Sequence, residues 1–259
     1  MTGITDNLVE IRARMAKAAA KAAAKAAARG PASVAASVAA SAGCPEGAVS
    51  LVAVSKGQPV AAVRSGLAAG LRHFGENYLQ EALPKILAGD RDAVWHFIGR
   101  IQSNKTREIA ASFAWAQTVT SARIAERLSA QRPHQVEPLQ VCIQLEPTTR
   151  GGTERTDAEA GKATRTGCPR AGVRALADLI IRLPRLRLRG IMLLPHPGLD
   201  ADALRVEYRA GRTLLDQLNA QGHALDTLSM GMSDDFEIAI EEGSTMIRVG
   251  TALFGKRPE

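Results

Sequence analysis

The sequence predicts an α/β fold, a single (β/α)8 TIM-type barrel carrying an N-terminal alanine-rich helical extension. Three observations lead there. From Val49 onward, short runs rich in Val, Ile and Leu alternate with longer amphipathic stretches, the pattern of βα units around a parallel sheet. Eight such runs follow one another, and the 259 residues suit one barrel of about 250 residues better than two domains. No GxGxxG follows the first run, so an open, doubly wound dinucleotide-binding sheet has no support. The expected division is an extension and linker over residues 1–48 and the barrel over residues 49–259.

In chain order, residues 7–29 are rich in alanine and repeat Lys17, Lys21, Lys25 and Arg29 every four positions, along one side of a strongly helix-favouring segment. Gly30 and Pro31 end it. Residues 30–48 are mainly Ala, Ser, Gly and Pro, a composition that buries little and reads as a loose linker or a frayed second helix. The expected strands are Leu51–Val54, Leu71–Phe74, Trp95–Ile98, Trp115–Thr118, Leu139–Leu145, Leu186–Leu193, Thr227–Met230 and Met246–Val249. Helical patterns lie between them at Ala61–Ala69, Tyr78–Leu87, Lys105–Ala111, Ala122–Gln131, Val173–Leu183, Ala203–Ala220 and Phe236–Glu242. Residues 147–171, polar and nearly devoid of apolar side chains, read as an exposed loop after the fifth strand.

Composition narrows the class of function. Hydrophobic residues at 46% and charged residues at 23% exclude collagen-like, disordered and disulfide-scaffold chains. No run approaches the ~20 apolar residues that cross a bilayer, and the N-terminus carries Asp6 and Glu10 instead of a basic and then an apolar region. Neither export nor membrane attachment is expected. Cys44, Cys142 and Cys168 lie far apart without a CxxC pair, so no disulfide framework or metal site is expected and a cytoplasmic location fits. The net charge of +7 is concentrated at the start, where Arg12, Arg14, Lys17, Lys21, Lys25 and Arg29 oppose only Asp6 and Glu10. A solvated basic helix explains that excess without nucleic acid. Were the helix a nucleic-acid-binding accessory, deleting residues 1–45 would abolish that role alone.

A parallel barrel presents its chemistry at the C-terminal ends of its strands, which selects a short group of residues. Alternation along the first strand puts Val52, Val54 and Lys56 on one face, so an amine projects beside buried valines. Partial desolvation there frees a nucleophilic amine for imine formation with an aldehyde, while the plainer reading is a lysine reaching into water. After the last two strands, Ser229, Gly231 and Ser233, then Gly250 and Thr251, form small, donor-rich loops of the kind that cradle phosphate in these barrels. Equally, Gly231 and Gly250 fit turns, and Ser233 fits a helix cap with Asp234 and Asp235 in the first turn. Arg248 shares a face with Gly250, pointing inward, where it needs either a glutamate or a ligand atom. His73 and His96 lie within strands and read as satisfied core residues; no metal constellation emerges.

Several motifs together resemble one family. They are Leu51-Val-Ala-Val-Ser-Lys56, His73-Phe-Gly-Glu-Asn-Tyr78, Trp95-His-Phe-Ile-Gly99 with Gln102-Ser-Asn-Lys105, and Arg189-Gly190, followed by Leu228-Ser-Met-Gly-Met-Ser-Asp-Asp235 and Gly243-Ser-Thr-Met-Ile-Arg-Val-Gly-Thr-Ala-Leu-Phe-Gly255. Over residues 49–256 the chain resembles the pyridoxal phosphate homeostasis proteins, whose fold is similar to the alanine racemase N-terminal barrel. The resemblance implies that Lys56 holds pyridoxal 5'-phosphate (PLP) as a Schiff base. It also implies that Ser229, Gly231, Ser233, Gly250 and Thr251 surround the phosphate, Arg248 faces the pyridine nitrogen, and Asn77 and His96 line the ring. The chain departs from the family in a longer alanine-rich start over residues 16–48, in Arg100, and in an insertion at residues 148–165 before Thr166-Gly167.

The implied function is a carrier or buffer in intracellular PLP homeostasis without a strong catalytic activity, acting as a monomer, with PLP-dependent apo-enzymes as recipients. A PLP-dependent amino-acid racemase-like enzyme is the alternative. Racemisation needs an acid or base on each face of the substrate carbon, one of them in alanine racemase a tyrosine from a second domain. The chain ends at Glu259, so that domain is expected to be absent, and only Tyr78 and Tyr208 are available.

Overall fold

Eight parallel strands close into a barrel in the computed structural model, in the order β1-β2-β3-β4-β5-β6-β7-β8, with β8 pairing back onto β1. The structure describes residues 3–28, 49–88, 92–148 and 167–256. The strands are β1 Ser50–Val54, β2 His73–Glu76, β3 Val94–Phe97, β4 Trp115–Val119, β5 Leu139–Gln144, β6 Leu186–Met192, β7 Thr227–Ser229 and β8 Met246–Val249. Between them run α2 Val60–Ala68, α3 Leu79–Ala88, α4 Thr106–Ser112, α5 Ala122–Gln131, α6 Arg170–Ile180, α7 Ala201–Ala220 and α8 Phe236–Glu241. Helix α1, Ile4–Ala27, precedes the barrel and the short α9, Thr251–Phe254, follows it. The expected linker at 30–48 falls outside the described residues.

Alternation separates two apolar layers. Outward side chains such as Ala53, Phe74, Phe97, Val141, Ile143 and Ile247 are buried against the helices, where each large aliphatic group contributes about 1.5–3 kcal/mol. Inward, Val52, Trp115, Cys142, Met192 and Met246 form a separate buried cluster that fills the barrel. Gly190 shows why one position admits no side chain: a Cβ there would lie 1.8 Å from the Thr227 carbonyl oxygen of the neighbouring strand. At the N-terminal end, the Arg189 guanidinium packs 5.1 Å over the Trp115 ring and donates to Gln140 and Asp226.

Two sequence boundaries move for identifiable reasons. Leu71 looks like the start of β2, but its burial comes from the turn after α2, where Gly70 has φ 89° and the Leu71 amide donates to the Gly66 carbonyl. The strand begins at His73 and ends with Gly75 and the buried Glu76, a composition that hides it. The expected loop at 147–171 is corrected at its end, because Cys168 bridges to Leu145 and α6 starts at Arg170 behind Pro169. Residues 149–166 of that loop lie outside the described residues.

Helix α1 is also corrected, from a solvated basic helix to a docked one. Leu8, Ile11 and Ala18 are buried, and the Asn7 side chain donates to the Leu253 carbonyl of α9 at 2.9 Å. Arg14 packs 4.6 Å over the Phe236 ring and meets Glu237, while Lys21 and Lys25 pair with Glu241 and Glu242. Arg205 reaches the last two glutamates from α7, and Arg209 reaches Glu242. The regular lysine spacing thus answers acidic groups of the same chain, and removing residues 1–45 would strip part of the core.

Ile11→Ala should cost about 2–4 kcal/mol of stability in chemical denaturation, whereas a freely solvated helix would lose almost nothing. Burial pushes the Glu242 carboxyl up, but Lys25 and Arg209 outweigh it and hold the group below the ordinary carboxylate range. A depressed carboxyl stabilises the fold above its unfolded range and loses that contribution as pH falls from about 4.3 through the folded value. Glu242→Gln should therefore flatten the acid limb of melting temperature against pH.

Candidate functional site

The first strand delivers its lysine to a tightly held turn. Alternation does put Val52 inside the barrel, and Lys56 follows at the C-terminal mouth, half-buried, in the turn with Gly57 at φ 68°. Both neighbours of Lys56 are pinned by α3. The Ser55 carbonyl accepts from Lys85 Nζ at 2.7 Å, and the Gly57 amide donates to Glu81 Oε2 at 2.9 Å. Ser55 also extends the β1–β2 ladder by donating its amide to the Gly75 carbonyl, and its hydroxyl donates to Glu76 Oε1 at 2.6 Å. The same carboxylate oxygen accepts from Lys85 at 2.7 Å, giving a buried ion pair directly beneath the turn. Burial pushes the Glu76 carboxyl up while Lys85 and Ser55 oppose that push.

The last strand delivers Arg248 to the barrel interior next to β1. β8 pairs with β1 so that Arg248 stands opposite Val52, and the guanidinium is only 4% exposed. It donates to Ser229 Oγ at 2.7 Å and to the Leu193 carbonyl at 2.8 Å. The expected glutamate partner is corrected: among the described residues no carboxylate forms a salt bridge with Arg248. Burial accordingly lowers its pKa. The hydroxyl of Ser229, fully buried, also donates to Gln117 Oε1 at 2.7 Å, so it faces the barrel interior. Below it, His96 is fully buried, stacks on Trp115 with 5.1 Å between ring centroids, and contacts both Gln117 and His73. The two strand histidines therefore satisfy one another.

Around the mouth the two glycine loops interlock. Gly231 has φ 97°, its carbonyl accepts from the Arg248 amide, and a Cβ there would lie 2.7 Å from Ala239 Cβ. Gly250 approaches the end of β1, with a Cβ position 3.1 Å from the Val54 carbonyl oxygen. Ser233 Oγ accepts from the Ala252 amide, tying the loop after β7 to α9, whose first residue, Thr251, is exposed. The capping expectation for Ser233 is corrected by the position of α8, which starts at Phe236. Asp235 precedes that helix, accepting from the Met232 amide at 2.6 Å and from the Tyr208 hydroxyl at 2.8 Å. Asn77 belongs to the same rim: its backbone approaches Gly99, where a Cβ would lie 2.0 Å from the Asn77 oxygen, and its side-chain Oδ1 is buried without a hydrogen-bond partner.

The structure thus gathers Lys56, Arg248 and the two small-residue loops onto the C-terminal end, while Ser229 and His96 lie one layer deeper. Glu76, Glu81, Lys85 and Gln117 went unassigned in the sequence. Lys85 left a trace, since it falls in step with Leu79 and Ala82 on the buried stripe of α3, where a lysine needs a partner. Lys85→Ala should cost about 3–5 kcal/mol in equilibrium unfolding, because it strands a buried carboxylate.

Residues 47–258 match the family model described as alanine racemase, N-terminal domain. A pyridoxal phosphate homeostasis protein of Pseudomonas aeruginosa is 46% identical over 258 residues, covering 99% of this chain and 97% of that protein. The protein of that name from Escherichia coli K12 is 41% identical, covering 81% of this chain and 86% of its own. Among solved structures, PipY of Synechococcus elongatus, described with PLP bound, superposes with a TM-score of 0.75 at 32% identity, covering 97% of this chain and all of that one (100%). Alanine racemase from Corynebacterium glutamicum shares the fold, with a TM-score of 0.61 at 16% identity over 86% of this chain and 59% of that one. A barrel closed in this order, with its lysine in the turn after β1 and its arginine on the neighbouring β8, and a near chain-long match place the protein in the pyridoxal phosphate homeostasis protein family.

Proposed function

We propose that the protein binds PLP at the C-terminal mouth of the barrel and acts as a carrier or buffer in intracellular PLP homeostasis, without a strong catalytic activity. One observation carries the reading: Lys56, in the turn after β1, and a buried guanidinium on the neighbouring β8 with only uncharged hydrogen-bond partners belong to the same end of the barrel. The orphaned Asn77 Oδ1 adds a buried polar atom at the same rim, and the half-buried Ser233 and exposed Thr251 offer hydroxyls beside the two glycine loops. These residues fit a planar, phosphorylated aldehyde. When bound, PLP supplies an aldehyde that bonds reversibly to an amine and a ring that withdraws electrons.

In this reading Lys56 is the binding amine, Arg248 faces the ring nitrogen, and Asn77 lies beside the ring. Gly231, Ser233, Gly250 and Thr251 take the phosphate. Ser229 and His96 act from beneath, since the Ser229 hydroxyl already joins Arg248 to Gln117 and both ring nitrogens of His96 have partners. A permanently cationic arginine disfavours protonation of a neighbouring pyridine nitrogen, which weakens electron withdrawal. The site is suited to holding its ligand more than to activating it.

The racemase-like alternative needs an acid or base opposite the lysine. Tyr208 is an unfavourable base, because burial and then Asp235 push its phenol pKa up, and Tyr78 is 59% exposed. Free thiols at Cys142 and Cys168 accord with a cytoplasmic setting, where PLP-dependent apo-enzymes would be the recipients of released cofactor and the protein would work as a monomer. Among the described residues no helix is long and apolar enough to cross a membrane.

Purified protein incubated with PLP should develop a near-visible absorption band, and borohydride followed by peptide mapping should place the adduct on Lys56. Lys56→Ala should lose the band; its persistence, or an adduct on another lysine, would overturn the assignment. Ser233→Ala combined with Thr251→Val should weaken retention of PLP in dialysis while leaving the borohydride adduct on Lys56.

A further inference from the structure

We infer that a one-way chain of hydrogen-bond donors, from Arg248 through Ser229, Gln117 and His96 to His73, fixes the guanidinium at the barrel mouth, with Gln117 as its positioning residue. The inference rests on the proposal that Arg248 faces a bound ring nitrogen. The direction follows from donor counting. A guanidinium can only donate, so Ser229 Oγ accepts from Arg248, and the single hydroxyl proton of Ser229 goes to Gln117 Oε1 at 2.7 Å. The Gln117 amide nitrogen then spends its two protons on His96 Nδ1 at 2.9 Å and on the Met246 sulfur at 3.1 Å. His96 Nδ1 is thereby an acceptor, its proton sits on Nε2, and that proton is donated to His73 Nδ1 at 2.9 Å. Every contact in the chain is satisfied in this sense.

The residues come from strands β2, β3, β4, β7 and β8, so the chain spans the barrel interior. Burial lowers the basicity of both histidines, and the neighbouring His73 lowers that of His96 further, in keeping with neutral rings. Gln117 is the pivot because an amide presents an acceptor to one neighbour and donors to the other. An ionised carboxylate in its place can only accept, which forces a proton onto His96 Nδ1.

Long-range 1H–15N NMR of the histidine rings in PLP-free protein tests this directly. The wild type should show His96 and His73 each with an unprotonated Nδ1 and a protonated Nε2. Gln117→Glu should move the proton of His96 to Nδ1 or give a doubly protonated ring. A wild-type His96 protonated at Nδ1, or ring shifts unchanged in Gln117→Glu, overturns the inference. After loading with PLP, Gln117→Leu and Gln117→Glu should both shift the position of the near-visible band at fixed pH; an unchanged band in folded variants also overturns it. Failure of wild-type protein to bind PLP at all, with the tautomers as expected, would instead overturn the functional proposal on which the inference rests.

Discussion

A guanidinium inside a closed barrel is the constraint around which the interior is built. Withdrawing Arg248 from water carries a desolvation cost, and the fold offsets it with a serine hydroxyl and a main-chain carbonyl instead of a countercharge. That choice leaves the Asp235 carboxylate acting on the guanidinium only through space. It also obliges Ser229, Gln117 and the paired histidines to occupy positions that barrel interiors ordinarily give to aliphatic groups. The inner apolar layer meets this polar column where the Trp115 ring stacks on His96 and the Met246 sulfur accepts from Gln117.

On the other side of β1 the solution is the opposite one. Lys85 and Glu76 form a buried ion pair outside the barrel wall, made through Glu76 Oε1 alone while Oε2 stays without a hydrogen-bond partner, and their bonds to Ser55 hold the main chain immediately before Lys56. Glu81 does the same immediately after it. The half-buried amine is therefore presented by a backbone fixed on both flanks. Rigidity resides in the support and adjustability in the side chain, an arrangement suited to a group that must form and release a bond.

Much of this was legible in the sequence, and the misses share a cause. Period-two alternation placed Val52 and Arg248 correctly, because strands of a closed parallel barrel have one apolar interior and one apolar exterior. The bounds of β8 and α5 agreed with the expected ones outright. Gln117, His96 and His73 were opaque because a polar residue within a strand gives no sign of its partner when that partner lies on a different strand. The same limit hid the bond between Ser229 and Arg248. For α1, the lysine spacing was visible but its complement, the acidic end of α8, lies more than two hundred residues away.

The docking of α1 ties the two ends of the chain together, with Asn7 bonded to Leu253 and the flanking strand β1 paired to β8. During synthesis, the apolar stripe of Leu8 and Ile11 leaves the ribosome long before Phe236 and Leu253 exist to cover it. Closure is thus deferred until β8 and α9 have been made, and until then the nascent chain carries an exposed amphipathic helix. Premature termination anywhere before β8 would leave both that helix and an open sheet edge uncovered, so truncated products would be recognisable to the cell's quality-control machinery.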